Sequence, residues 1–235
     1  VTFLSSPFSL EAVDLLEELG IAAYKIPSGE VSNIPLLTRI AKTGKPVLLS
    51  SGMSGWDELD LAVATVRSSC STTVMQCSSA YPCPPERVGL NVIGEMARRY
   101  ELPVGYSDHT MGFAAPIAAV AMGATVVEKH FTFSRQMYGS DARHSMEPSE
   151  FKLMAEALRE VWTMLDNPIS KSDVKPYAEM KRIFEKSIVA ACSIEAGEAL
   201  TVGMLAFKKP GDGIPARDYP RLLGRTAKRA MQPDH

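Results

Sequence analysis

Residues 103–109 read Pro-Val-Gly-Tyr-Ser-Asp-His, so a short apolar run becomes polar at its carboxyl end. Residues 125–130, Thr-Val-Val-Glu-Lys-His, repeat this pattern. Strands that end in hydroxyl or ionisable side chains are typical of a parallel sheet whose carboxyl ends form a site. The two segments therefore predict neighbouring strands, Pro103–Tyr106 and Thr125–Lys129, that lead into His109 and His130.

The rest of the first 166 residues alternates in the same way. Four further strands are predicted at Thr2–Ser5, Ala22–Ile26, Pro46–Ser50 and Thr73–Cys77. Helices are predicted to begin near Ser9, Asn33, Gly55, Leu90, Gly112 and Ser149. Such alternation predicts a parallel sheet with crossover helices, in either a (β/α)8 barrel or a doubly wound sheet.

The strand ends favour the barrel. All six predicted strands end in polar residues, and in a barrel these ends meet at one mouth. The sequence contains neither G-x-G-x-x-G nor G-x-x-x-x-G-K, which removes support for nucleotide-binding doubly wound folds. We therefore predict an α/β fold in which residues 1–166 form a partial (β/α)8 TIM barrel.

The pattern changes after the last predicted helix, which should end near Leu165. A polar stretch, 167–178, predicts a linker. Residues 179–235 predict a small β-rich domain with strands Ser187–Cys192 and Leu205–Lys208 and a helical turn at Tyr219–Leu223. A module of this size is too small for a large core of its own.

Composition excludes several classes of protein. A net charge of −2 provides no general attraction to nucleic acid or anionic lipid. No apolar run approaches the ~18 residues of a membrane span. The four cysteines include no C-x-x-C pair, which predicts free thiols and a cytoplasmic location rather than a disulfide scaffold or a zinc knuckle.

The polar strand ends suggest two kinds of ligand. His109 and His130 suit a divalent transition metal with open positions, although a structural pair is the alternative. Lys25 and the serines suit a phosphate or a carboxylate. Glu128 shares a strand face with His130 and is either a ligand, a partner of a ligand or a structural carboxylate.

Three further residues are candidates for binding a hydroxylated substrate, each with a structural alternative. Glu30 and Asp141 are candidate polar anchors, or else cap a helix or close a turn. Tyr81 either lines the mouth or packs beneath the loop at Pro82–Pro85.

At these positions the sequence resembles the sialic acid synthase family, whose members make N-acetylneuraminate and related nonulosonates. The matching stretches are Ser6–Phe8, Tyr24–Glu30, Leu49–Met53, Gln76–Pro82, Gly105–His109, Glu128–Thr132, Gly139–Asp141 and Ser145–Pro148. Residues Gly197–Leu200 and Lys208–Gly211 resemble the antifreeze-like (SAF) domain that the family appends. The resemblance extends over essentially the whole chain.

The resemblance implies that the six strands are the third to the eighth of the barrel and that the chain is truncated before Val1. It also implies an incomplete SAF domain. Two unpaired barrel edges would make the 235-residue chain weakly active or inactive and prone to aggregate.

By the same resemblance, each site residue has an implied role. Lys25 and five hydroxyls would hold phosphoenolpyruvate: Ser6, Ser28, Ser50, Ser79 and Ser107. Lys25, Glu30, Tyr81 and Asp141 would meet an N-acetyl amino sugar, and the catalytic candidates are Glu30, Asp141 and Lys25. His109 and His130 would bind Mn²⁺, or else Mg²⁺. In a homodimer, Lys209 would contact the partner's substrate.

The implied reaction condenses phosphoenolpyruvate with an N-acetylmannosamine-type aldose to give a nonulosonic acid and phosphate. One alternative is a synthase of other 3-deoxy sugar acids, which the appended domain disfavours. Another is an inactive fragment or a carbohydrate-binding scaffold. The two histidines and the serines disfavour the scaffold.

Overall fold

A curled parallel sheet carries the first part of the chain. The computed structural model describes all residues, Val1–His235, in two compact units, Val1–Pro168 and Ile169–His235. The sheet strands are β1 (Tyr24–Ile26), β2 (Val47–Ser50), β3 (Thr72–Cys77), β4 (Val104–Asp108) and β5 (Val126–Lys129). They pair in parallel in chain order, β1-β2-β3-β4-β5. A doubly wound sheet would reverse its strand order, so the unbroken order confirms the predicted partial barrel.

Six helices accompany this sheet, and they begin within two residues of the predicted positions. They are α1 (Leu10–Glu18), α2 (Ile34–Ala41), α3 (Trp56–Arg67), α4 (Asn91–Tyr100), α5 (Ala114–Ala121) and α6 (Pro148–Asp166). Side-chain caps explain two of the starts. The Ser9 hydroxyl accepts a hydrogen bond from the amide of Ala12, and the Asn33 side chain accepts one from the amide of Leu36.

The predicted strand at Thr2–Ser5 is wrong. Only Ser5 pairs with the sheet, in one bridge to Tyr24, and its carbonyl accepts a hydrogen bond from the Lys25 amide at 3.0 Å. Phe3 is 63% exposed and Leu4 is 41% exposed. Without burial of these side chains, little stabilises further pairing of the segment. The sheet therefore has five strands rather than six.

The core lies between the sheet and its helices. Strand residues such as Tyr24, Leu49 and Val74 are fully buried. Leu37 of α2 and Val63 of α3 pack in the same cluster. A separate cluster between α5 and α6 includes Val120, Met154 and Leu158. This packing covers the helix side of the sheet and fixes the strand ends that carry the polar residues.

The second unit is small and mostly irregular. It contains α7 (Ala178–Phe184) and the antiparallel strands β6 (Ser187–Ala190) and β7 (Leu205–Lys208). Its core consists of Ala190, Ile194 and Ala227 with a few half-buried neighbours.

The predictions for this unit are partly correct. Strand β7 is as predicted, and β6 ends two residues earlier than predicted. The helical turn lies at Ala216–Arg221 rather than Tyr219–Leu223, and α7 was not predicted. No helix in either unit has the length and apolar character needed to span a membrane.

Candidate functional site

The carboxyl ends of the five strands surround one open pocket of about 530 Å³. It is rich in hydroxyl groups and has two imidazoles on one side. Nine of the twelve predicted site residues line it: Ser6, Lys25, Ser28, Ser50, Ser79, Tyr81, Ser107, His109 and His130. The parallel register brings these residues together, because most of them lie near the carboxyl ends of strands at the same edge of the sheet.

A buried lysine lies at the centre of the hydroxyl groups. Lys25 is in the middle of β1, and its Nζ donates a hydrogen bond to Ser50 Oγ at 2.7 Å. The same Nζ is 3.4 Å from a carboxylate oxygen of Glu128. Ser107 Oγ donates to that oxygen at 2.6 Å. A buried cation beside hydroxyl groups is suited to a phosphate or a carboxylate, and here a carboxylate of the protein already lies next to it.

Gly52 allows two of the serines to approach the backbone closely. Its amide donates a hydrogen bond to Ser28 Oγ at 2.9 Å. A Cβ atom at this position would be 2.5 Å from Ser79 Oγ, 2.7 Å from Ser28 Oγ and 3.1 Å from Cys77 Sγ. A larger residue here would therefore push both serine hydroxyls out of their present positions. The sequence analysis did not identify this role, although Gly52 directly follows the polar end of β2.

The two histidines lie next to each other in the pocket. Their ring centroids are 5.2 Å apart, and the ring of Tyr81 lies 4.1 Å from that of His109. His109 Nδ1 is 2.8 Å from the carbonyl oxygen of Ser78, so Nδ1 donates to that oxygen and Nε2 is the nitrogen available to a ligand. Burial, together with the neighbouring His109, lowers the pKa of His130 and favours the neutral imidazole.

These imidazoles fit a divalent metal with open coordination positions. No three His, Cys, Asp or Glu side chains converge into a closed cage. His109 and His130 would therefore supply the protein ligands, and water or substrate oxygens would complete the shell. Nitrogen ligands suit Mn²⁺ better than Mg²⁺, which prefers oxygen.

A buried ion pair lies directly behind the histidines. Lys129 Nζ is 2.5 Å from Asp108 Oδ2, and both side chains are almost completely buried. Asp108 also accepts hydrogen bonds from the Tyr106 hydroxyl and the Thr110 amide. His109 follows Asp108, and His130 follows Lys129, so the pair fixes both backbone segments that carry the imidazoles.

The sequence analysis did not identify this ion pair. One signal could have found it, because Asp108 and Lys129 lie opposite each other in the β4–β5 register and each directly precedes a histidine. Burial also raises the pKa of another residue missed in the pocket, the Cys77 thiol, which keeps it protonated.

Three predicted site residues are not among those lining the pocket. Glu30 accepts a hydrogen bond from Asn33 at 2.7 Å and so supports the cap of α2. Asp141 is exposed, with an oxygen 3.8 Å from His130 Nδ1, and so lies near the histidines. Lys209 belongs to the second unit, where its Nζ is 5.0 Å from the centre of the Phe184 ring.

Comparisons with known proteins agree with this geometry. Residues 1–170 match the NeuB family, and residues 185–235 match the SAF domain. The whole chain is 39% identical to an N,N'-diacetyllegionaminic acid synthase of Campylobacter jejuni, of which it covers 71%. It is 35% identical to the human N-acetylneuraminate-9-phosphate synthase, of which it covers 66%.

A solved structure has the same fold. The N-acetylneuraminic acid synthetase of Leptospira borgpetersenii superposes with a TM-score of 0.72 at 31% identity, over 77% of this chain and 64% of that one. These matches confirm the resemblance drawn from the sequence motifs. The chain belongs to the NeuB family and carries a SAF domain over residues 185–235.

Proposed function

We propose that the protein condenses phosphoenolpyruvate with an N-acetylmannosamine-type aldose to give a nonulosonic acid and phosphate. The observation that carries the proposal is that a buried lysine, several serine hydroxyls and two imidazoles line one pocket. The relatives support it, since the matched proteins are named as synthases of legionaminic and neuraminic acids. Their differing products leave the acceptor sugar to experiment.

The lysine side of the pocket would hold phosphoenolpyruvate. Lys25 supplies the positive charge, and Ser28, Ser50, Ser79 and Ser107 supply hydrogen bonds for phosphate and carboxylate oxygens. These groups are held by the ends of buried strands, so little reorganisation is needed when the anion binds. Their contribution to catalysis is orientation and charge stabilisation.

The histidine side would hold the aldose. His109 and His130 would bind Mn²⁺, which when present acts as a Lewis acid toward the aldehyde oxygen. Tyr81, beside His109, offers an aromatic surface and a hydroxyl to the sugar. Asp141, near His130, can accept hydrogen bonds from sugar hydroxyls.

The proposed bond changes follow from this placement. Carbon 3 of phosphoenolpyruvate attacks the aldehyde carbon and forms the new C–C bond. Water adds at carbon 2, and phosphate leaves when the C–O bond breaks. Throughout, Lys25 and the serines keep the phosphate and carboxylate oriented, and the same groups stabilise the departing phosphate.

The assembly and location are part of the proposal. We place the protein in a homodimer in which the SAF domain of one subunit contacts the other's barrel through Lys209. A lysine there provides charge without the bidentate geometry of arginine. Three of the four cysteines are buried free thiols, which is consistent with a reducing, cytoplasmic location.

Phosphate release tests the reaction. The purified protein is assayed with Mn²⁺, phosphoenolpyruvate and either N-acetylmannosamine, its 6-phosphate or a 6-deoxy diacetamido sugar. Lys25→Met should abolish release, whereas Lys152→Met, on the exposed face of α6, should leave it unchanged. Full activity of the Lys25 variant contradicts the proposal.

A further inference from the structure

A carboxylate stands within the part of the pocket that would receive an anion. Glu128 is in β5 and faces the pocket. Its Oε2 is 3.4 Å from Lys25 Nζ and accepts a hydrogen bond from Ser107 Oγ at 2.6 Å. Glu128 therefore occupies two of the groups that the proposed function assigns to phosphoenolpyruvate.

The charges lining the pocket make this contact significant. Two lysines line it, Lys25 and Lys129. Lys129 is bound to the buried Asp108, so its charge is already balanced. Lys25 has Glu128 as its ion-pair partner. An incoming anion must therefore compete with Glu128 for the cation.

Burial indicates which partner moves. The Lys25 side chain is 11% exposed and is held by Ser50, whereas the Glu128 side chain is 42% exposed at the open pocket. Rotating the glutamate toward solvent costs less than displacing a buried ammonium from its hydrogen bond. The glutamate can withdraw while the lysine and the serines stay in place.

We propose that Glu128 is an internal counter-ion, which pairs with Lys25 when no anion is bound and competes with the substrate for it. This inference rests on the proposed function, because it needs an anion in the pocket. Glu128 is thus a positioning residue. It keeps Lys25 and Ser107 oriented in the free protein, and it lowers the affinity for phosphoenolpyruvate and for the phosphate that must leave.

Calorimetric titration of phosphoenolpyruvate and inorganic phosphate, with EDTA and without sugar, tests the proposal independently of turnover and of metal. Glu128→Gln keeps the shape and can still accept from Ser107, but it removes the charge. We expect it to bind both anions about fivefold more tightly than wild type. Glu128→Asp, whose carboxylate is shorter by one methylene, should gain affinity by a smaller factor.

Glu156→Gln is the matched control, because it removes one negative charge from the exposed face of α6, outside the pocket and without a contact to Lys25. It should change the affinity less than twofold, since that exposed carboxylate is screened by solvent. If the control gains as much affinity as Glu128→Gln, the effect comes from the net charge of the protein, and the proposal is overturned.

Two other results distinguish the inference from the proposed function. If the wild-type protein binds both anions and both Glu128 variants bind them equally well or more weakly, the counter-ion proposal alone is overturned. If the wild-type protein binds neither anion, the counter-ion proposal and the proposed function are both overturned.

Discussion

Gly52→Ala should impair anion binding while leaving the fold intact. The added Cβ would lie 2.5 Å from Ser79 Oγ and 2.7 Å from Ser28 Oγ, closer than real Cβ atoms approach other atoms. Both hydroxyls would have to rotate away. Ser28 would also lose the hydrogen bond that it accepts from the Gly52 amide at 2.9 Å.

The size of the effect follows from these two hydroxyls. A hydrogen bond to a charged group contributes about 1.5–3 kcal/mol. Partial loss of two such bonds amounts to about 2–4 kcal/mol, or roughly 30- to 1,000-fold in the dissociation constant of phosphoenolpyruvate. The stability cost is smaller, about 1–2 kcal/mol, because the displaced atoms are ends of side chains at an open pocket.

The assay is calorimetric titration of phosphoenolpyruvate, with thermal denaturation as the measure of folding. Gly112→Ala is the matched control, because a Cβ there meets no atom within 4 Å. It should bind the anion as wild type does. If Gly52→Ala also binds with wild-type affinity, the two serines do not contact the anion and the reasoning is refuted.

Three further perturbations address the metal site, the buried pair and the surface. His130→Ala should weaken Mn²⁺ binding at least about tenfold in a calorimetric titration, because one of the two proposed imidazole ligands is lost. Lys129→Met should destabilise the fold by about 3–5 kcal/mol in urea denaturation, since it leaves Asp108 buried and unpaired. Asp60→Asn should cost only about 1 kcal/mol at pH 7, because solvent screens its partly exposed pair with Arg99. The Arg99 guanidinium lowers the pKa of Asp60 to about 2. The loss of stability caused by Asp60→Asn should therefore have its full size above pH 4 and become smaller as the pH falls toward 2.

Each of these has a result that would contradict it. Unchanged Mn²⁺ affinity in His130→Ala, or an equal loss in the control His144→Ala outside the pocket, argues against a metal on the two imidazoles. A Lys129→Met protein as stable as wild type would show that the ion pair does not hold the strand ends. If Asp60→Asn destabilises the protein as much at pH 2 as at pH 7, the ion pair with Arg99 is not the cause.

The barrel could be predicted from local features. Polar residues at the ends of apolar runs identified five of the six proposed strands, and cap residues such as Ser9 and Asn33 located helix starts. The wrong strand, Thr2–Ser5, has suitable residues for a strand but exposed side chains. Whether a segment pairs as a strand depends on whether other parts of the chain bury its side chains, and the local sequence does not show this. Helix α7 was also missed, because all but its first residue lies in the segment that was predicted to be β-rich.

The candidate site was also predictable in outline. Strand-end position placed nine of twelve residues in one pocket, because parallel strands bring their carboxyl ends together. Glu30 shows the limit of that reasoning. It follows a strand, yet its carboxylate is engaged with the cap of α2. Position along a strand does not specify which neighbour a side chain bonds.

The sequence by itself determined the positions of most strands, the hydroxyl-rich strand ends, the two histidines and the family motifs, because periodicity and residue type are local properties of the chain. Only the tertiary structure decided the partners. It showed Lys25 beside Glu128, Lys129 bound to Asp108, and two serines against Gly52. The members of each group are at least 21 residues apart in sequence. Contacts of this kind depend on sheet register and side-chain packing, which form only when the strands pair.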